Sequence, residues 1–240
     1  MGGVTSWLDR RLYPHHARNW DDRLFRERIA SYLSPSSIVL DVGAGAGIVS
    51  EMNFRGQVAR MCGVDLDPRV HANPMLDEGR IADANRIPYD DNTFDVAFAD
   101  NVMEHLSEPL KVLREINRVL KPGGVLLFKT PNKSHYMPTI ARLTPHSFHR
   151  FINKLRGRAV VDTFPTLYLA NTASRVSQLA AQAGFRVERI SRIEGRPEYM
   201  RITPITYVFG FLYERIVNTT DLLAMFRILL IAELRKTGTQ

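Results

Sequence analysis

Residues 38–47 read Ile-Val-Leu-Asp-Val-Gly-Ala-Gly-Ala-Gly, a short apolar run with one carboxylate that opens directly into glycines at every second position. A run this short, bounded by turn residues, reads as a buried strand. Strands of this composition belong to parallel sheets covered on both faces. The glycines permit positive φ and let a ligand approach the main chain, and a helix opening after them turns its free N–H groups toward that ligand. The pattern restricts the chain to an α/β architecture with a ligand beyond the carboxyl end of its first strand.

The rest of the chain continues that alternation. Arg18–Leu33 reads as an amphipathic helix on Trp20, Leu24, Ile29 and Leu33, and Ser34-Pro35-Ser36-Ser37 stops it. After the strand Ile38–Val42, a helix is expected near Ile48–Phe54, then strands at Val58–Val64, Arg80–Ala82 and Phe94–Ala99. Pro109–Leu120 reads as a helix with one apolar stripe, stopped by Lys121-Pro122-Gly123-Gly124, and Val125–Lys129 as the fifth strand. Thr172–Ala183 resumes as a helix, followed by strands at Phe185–Ile193 and Met225–Leu234. Strands alternating with helices imply a doubly wound, mostly parallel seven-stranded sheet. We expect a single domain over 1–240, with an N-terminal helical segment at 1–35 and an insertion at 131–171. A segment that long between a strand and a helix is usually functional, here a lid over the acceptor.

Composition narrows the class. With 45% hydrophobic residues the chain has ample core. Its single cysteine, Cys62, forms no internal disulfide, which suits a reducing compartment. No run approaches the roughly 20 apolar residues of a spanning helix, and no apolar leader core appears in 1–30, so a soluble, cytoplasmic protein is expected. The net charge of +7 is unevenly spread. Ile116–Val161 holds no acid but Arg118, Lys121, Lys129, Lys133, Arg142, Arg150, Lys154, Arg156 and Arg158. Such a run is a solvated face or a surface meeting phosphate or an anionic membrane. Without zinc-finger spacing, an RNA-binding aromatic signature or a basic zipper, nucleic acid is not an expected partner. Ile205–Tyr213, rich in aromatics, is too short to span a bilayer and reads as packing into the outer layer of the sheet, or as lying in a membrane interface.

The glycine loop discriminates among ligands. A phosphate-binding loop needs Gly-Lys-Ser/Thr, which is absent, and a nicotinamide fingerprint needs glycine where Ile48 stands. Asp41-x-Gly43-x-Gly45-x-Gly47 instead resembles the first motif of the class I S-adenosylmethionine-dependent methyltransferases. Gly63-Val64-Asp65-Leu66-Asp67 matches the family's second-strand end. Asp83-Ala84 before Ile87-Pro88-Tyr89 is similar to its third-strand acid. Phe94–Ala99, Glu104-His105-Leu106, Leu113-Arg114-Glu115-Ile116 and Val119-Leu120-Lys121-Pro122-Gly123-Gly124 complete the order. The resemblance covers 36–130 closely and 172–193 in arrangement. It implies S-adenosyl-L-methionine as cofactor, bound by Asp41, Gly43, Ala44, Gly45, Gly47, Asp65, Leu66, Asp83, Ala84 and Asn101. Asp65 takes the ribose hydroxyls and Asp83 faces the adenine.

Methyl transfer from a sulfonium needs alignment above all, and a hydroxyl acceptor also needs a base. His105 follows the fourth strand, and imidazole is the side chain most often used as a general base, so it is the candidate base; its other reading is a residue that orders the loop. The ubiquinone-pathway O-methyltransferases carry Glu-x-x-Glu-His here, holding a divalent cation. Asn101 replaces the first acid in this chain, so no metal is expected. His135, Tyr136, His146 and His149 in the insertion are candidates to touch the acceptor, a small molecule methylated on oxygen. A binding module that does not transfer is the rival reading.

Overall fold

The computed structural model describes residues 3–14, 16, 19–137 and 165–238. Seven strands form one sheet: β1 (Ile38–Val42), β2 (Arg60–Asp65), β3 (Glu78–Ile81), β4 (Phe94–Asp100), β5 (Leu120–Pro131), β6 (Phe185–Ile193) and β7 (Leu229–Lys236). Their order is β3-β2-β1-β4-β5-β7-β6. The strand pairs from β3 through β5 are all parallel. The carboxyl ends of β1 to β5 therefore share one edge, and the order reverses between β1 and β4, where such sheets bind ligands.

Among the described residues the helices are α1 (Gly3–Leu12), α2 (Trp20–Ala30), α3 (Pro109–Val119), α4 (Ala173–Gln182) and α5 (Pro204–Val217). Helix α3 starts on Pro109, whose missing N–H costs nothing in the first turn. It buries Val112, Leu113, Ile116 and Val119, spaced for one face. Helix α4 is capped by Thr172, whose hydroxyl accepts from the Arg175 N–H at 3.3 Å. Leu113, Ile116, Val176 and Leu179 share one core with Leu40, Val42, Leu126 and Phe128 of the strands.

Contacts divide the chain into two units. The sheet unit comprises Asp22–Thr130, Thr166–Ser191 and Leu230–Gln240; the second comprises Met1–Asp21, Pro131–Pro165 and Arg192–Leu229. In the second unit, Asp9 of α1 accepts from the Tyr207 hydroxyl of α5 at 3.0 Å, and Tyr13 donates to Glu214 at 2.8 Å. Asn132 spans two carbonyls, those of Met225 and Arg227, at 2.8 Å each.

Three sequence expectations change. The helix expected at Ile48–Phe54 is one 3-10 turn, Ser50–Met52. Arg26 of α2 explains why: its guanidinium donates to the carbonyls of Glu51 (2.6 Å) and Asn53 (2.8 Å) and lies 4.4 Å over the Phe54 ring. Those carbonyls are satisfied without a helix, and Phe54 is free to bury against Phe98 at 5.9 Å. Strand β7 begins at Leu229, because Asp221–Phe226 form a 3-10 turn capped by the Thr220 hydroxyl. Finally, Ile205–Tyr213 does not pack wholly inward: Tyr207 is buried, but Ile205, Val208, Phe209 and Leu212 are exposed on α5. Most of the expected lid, including Arg142, His146, Phe148, His149, Arg150, Phe151, Lys154, Leu155, Arg156 and Arg158, lies outside the described residues.

Candidate active site

The glycine loop sits where β1 ends, and three of its glycines have positive φ: Gly43 (+83°), Gly45 (+49°) and Gly47 (+70°). The N–H groups of Gly43 and Ala44 both donate to the Val64 carbonyl of β2, at 2.8 and 3.2 Å. Asp65, the last residue of β2, accepts from the Gly45 N–H on one oxygen and from the Asp67 N–H on the other, each at 2.8 Å. Each carboxylate oxygen keeps acceptor capacity for a second donor. The loop is thus tied to β2 with its carboxylate turned toward it.

Asn73, which the sequence reading did not single out, clamps the loop from outside. Its amide donates to the carbonyls of Ala44 (3.0 Å) and Gly45 (3.3 Å), while its oxygen accepts from the Met75 N–H (2.9 Å). The only sequence signal was Asn73-Pro74, which reads as a turn and says nothing about a loop 28 residues away.

A Cβ built on Gly45 would meet only Asp65 Oδ2, at 3.8 Å, so this glycine faces open space beside the carboxylate. Ile48 and Leu66 stand exposed on the rim, and Ile81 half-exposed. An open backbone, a carboxylate with spare acceptors and apolar side chains nearby fit an adenosyl group: hydroxyls for Asp65, a flat ring for the apolar rim.

Asp41 of β1 is buried. Burial first, then the charges of Asp100 and Asp65, push its carboxyl well above the usual range. Asp83 accepts from the Asn85 N–H at 2.9 Å, which fixes the turn after β3. Asn101 has φ +54°; its N–H donates to the Lys129 carbonyl (2.9 Å) and its amide to Asp100 (2.8 Å). Val102, next in sequence, packs on Gly43, where any Cβ would collide with it.

His105 lies in a turn, its N–H donating to the Val102 carbonyl at 3.0 Å. Glu104 beside it points inward. Its carboxylate accepts from the Thr130 hydroxyl at 2.7 Å, Asn171 donates to that hydroxyl at 2.6 Å, and burial raises the carboxyl above its ordinary value. The Glu104 carbonyl receives the N–H groups of Leu167 and Tyr168. Among the described residues no group of three or more His, Cys, Asp and Glu side chains has the arrangement to hold a metal ion.

Lys129 departs from the solvated face expected of its basic run. It is fully buried, and its ammonium pairs with Asp22 of α2 and, at 3.0 Å, with Asp100 of β4. The same run's Arg118 pairs with Glu115 and Asp91, and Lys121 with Asp95.

The comparisons with known proteins fit this geometry. Residues 40–128 match the family described as Methyltransferase domain. That segment is a class I S-adenosylmethionine-dependent methyltransferase domain. The chain is 32% identical over 149 residues to the ubiquinone biosynthesis O-methyltransferase of Histophilus somni, covering 55% of this chain and 60% of that protein. It spans about half to three fifths of the curated relatives it matches at this level. Among solved structures, the S-adenosylmethionine-dependent methyltransferase of Mesorhizobium loti has TM-score 0.57 at 16% identity, covering 92% of this chain and 98% of that one. The [4+2]-cyclase SpnF has TM-score 0.57 at 21% identity, with coverage of 91% and 81%. These two structures share the methyltransferase fold.

In the second unit, His135 and Glu194 form a buried pair, Nε2 to Oε2 3.5 Å. The Met137 N–H donates to His135 Nδ1 at 3.1 Å, which leaves the Nε2 proton facing Glu194. Burial lowers His135 from 6.5 to about 3. Burial also raises Glu194 from 4.5 to about 8, with Glu214 and Glu198 adding to the rise and the Ile228 N–H and Arg227 opposing it. Folded, the pair holds one proton from about pH 3 to about pH 8. Unfolded, it holds two below pH 4.5, one up to 6.5 and none above. Stability changes only where the two counts differ. The pair's contribution is therefore flat between pH 4.5 and 6.5, and falls on the acid side and again as pH rises toward 8. The alkaline loss is about 2 kcal/mol, one proton over the interval. Glu194→Gln should abolish that alkaline loss and start the acid loss already at pH 6.5, read by urea unfolding across this range. An unchanged alkaline decline in the variant would refute a proton carried by Glu194.

Proposed function

We propose that the chain transfers a methyl group from S-adenosylmethionine to an oxygen of a small-molecule acceptor, in the cytoplasm. The observation that carries this reading is the open face of Gly45 beside the Asp65 carboxylate, at the end of the sheet where strand order reverses. When bound, the cofactor supplies a methyl group made electrophilic by its sulfonium. The chain's residues hold and align it. Asp65 receives the two ribose hydroxyls as charge-assisted hydrogen bonds. The main chain at Gly43, Ala44, Gly45 and Gly47 admits the cofactor closely, Leu66 covers the adenine, and Asp83 with Ala84 meets its edge. Asp41 and Asn101 face the polar end, where a cation offsets the repulsion among Asp41, Asp65 and Asp100. His105 takes the acceptor's proton without a metal. Oxygen as the target is supported by the names of the ubiquinone biosynthesis O-methyltransferases. The buried Cys62 thiol, its ionisation opposed by burial, is an inert core residue suited to a reducing compartment.

Calorimetric titration with S-adenosylmethionine, followed by labelled turnover on cell extract, tests this reading. Asp65→Ala should weaken cofactor binding by about 2–3 kcal/mol, the scale of hydrogen bonds to a charged group. His105→Ala should lower turnover by about 10²-fold or more with cofactor affinity unchanged. Equal affinity in the Asp65 variant would remove the cofactor assignment, and full turnover in the His105 variant the base. The rival reading is a cofactor-binding module without transfer. Binding without any labelled product would select it.

A further inference from the structure

Helix α5 has no polar outer face. Tyr207, Gly210, Glu214 and Val217 are buried, while Ile205, Val208, Phe209, Leu212 and Ile216 are 50–71% exposed. At 100° per residue these five side chains fall within one arc of about 100°. They form one apolar stripe along the helix, and Leu222, Met225 and Phe226 stand exposed just after it. The stripe presents on the order of 500 Å² of apolar surface, more than scattered surface residues account for.

Charge selects the occupant. Arg215 borders the stripe one turn beyond Leu212, with its guanidinium 4.9 Å over the Phe211 ring and 3.4 Å from Glu214. Helix α1, packed on α5 through Tyr13–Glu214 and Asp9–Tyr207, ends in Arg10 and Arg11 and exposes Val4 and Trp7. Two carboxylates nearby are engaged, Asp9 with Tyr207 and Arg201 and Glu214 with Tyr13, while Asp221 is exposed, 3.4 Å from Arg227. A second copy is disfavoured, because a symmetric contact sets Arg215 against its own like charge and the stripe falls short of the ~800 Å² per partner of a standard interface.

We propose that the outer face of α5 docks on an anionic lipid bilayer, lying in the interface with Ile205, Val208, Phe209, Leu212 and Ile216 among the acyl chains and Arg215 at headgroup level. This goes beyond methyl transfer and stands without it. An apolar stripe bordered by an arginine, in a unit that also exposes Arg10 and Arg11 on α1, is what a peripheral interfacial helix presents. No helix among the described residues is long and apolar enough to cross the membrane.

Co-sedimentation of the full chain with vesicles of phosphatidylglycerol and phosphatidylcholine, and of phosphatidylcholine alone, tests the proposal. The chain should bind the anionic vesicles more tightly, and salt should narrow the difference. Phe209→Glu with Leu212→Glu should lower partitioning by about tenfold or more. Arg215→Gln should lower it about fivefold, at low salt only. Leu212→Ser with Ile216→Ser, uncharged changes at the same face, should act in the same direction, and thermal unfolding of each variant confirms that it is folded. Unchanged partitioning in folded variants, or no vesicle binding by the native chain, would overturn the proposal. So would a concentration-dependent dimer that the glutamate variant abolishes, which would give the face to a second copy.

Discussion

Replacing Lys129 by methionine is expected to cost about 3 kcal/mol or more of stability, because one partner of a buried ion cluster is removed while the others stay. The Lys129 side chain is 0% exposed, and its ammonium lies between Asp22 of α2 and Asp100 of β4. Methionine matches the stem but leaves two carboxylates facing each other, with side-chain exposures of only 23% and 12%. Asp100 also acts electrostatically on Asp41, which burial and Asp65 already disfavour as an anion. The variant should therefore lose more stability at neutral pH than in acid, where the carboxylates are protonated. Lys129→Met combined with Asp22→Asn and Asp100→Asn should recover part of the loss, since neutral residues of similar volume impose no uncompensated charge. Urea unfolding of the single and triple variants measures both. A loss under about 1 kcal/mol in the single variant would mean that water solvates the cluster well enough to make the ammonium dispensable.

Lys129 also marks where the sequence stops being legible. Its apolar neighbours Leu126, Leu127 and Phe128 placed the fifth strand correctly, and the absence of acids from 116 to 161 suggested an exposed basic face. The acids that bury it stand on β4 and on α2, 107 residues away in the latter case, so no local pattern announces them. The Arg26 contact with Glu51 and Asn53 is of the same kind: a side chain from another element satisfies carbonyls that the local pattern assigns to a helix. What the sequence shows well is whatever the backbone itself requires. Alternating glycines after an apolar run specify positive φ at Gly43, Gly45 and Gly47, and the carboxylate closing β2 lies against the loop as the motif spacing implies. Exposure on α5 is not legible in the sequence because Ile205–Tyr213 is apolar on both sides, and periodicity cannot say which side is covered.

Gly47→Ala is expected to reduce S-adenosylmethionine affinity by at least about 100-fold and stability by about 2–3 kcal/mol. A methyl group at Gly47 would overlap Asn73 Oδ1 and come within 2.7 Å of Asn73 Cγ. Asn73 cannot turn aside cheaply, because the same amide holds the carbonyls of Ala44 and Gly45 and accepts from the Met75 N–H. Moving it releases the loop proposed to present Gly45 to the cofactor. The residue also sits at φ +70°, where a side chain adds about 1 kcal/mol of strain. A double-mutant cycle separates the two causes. Asn73→Ala alone should weaken cofactor binding by losing the clamp. In that background Gly47→Ala should cost only the strain of about 1 kcal/mol, since the overlapping atoms are gone. Gly45→Val is the contrasting case: its Cβ meets nothing nearer than Asp65 Oδ2 at 3.8 Å, so it should block the cofactor with little damage beyond local strain. If Gly47→Ala costs the same with and without the Asn73 side chain, the loop does not depend on this clamp, and the loss of affinity must come from backbone conformation alone.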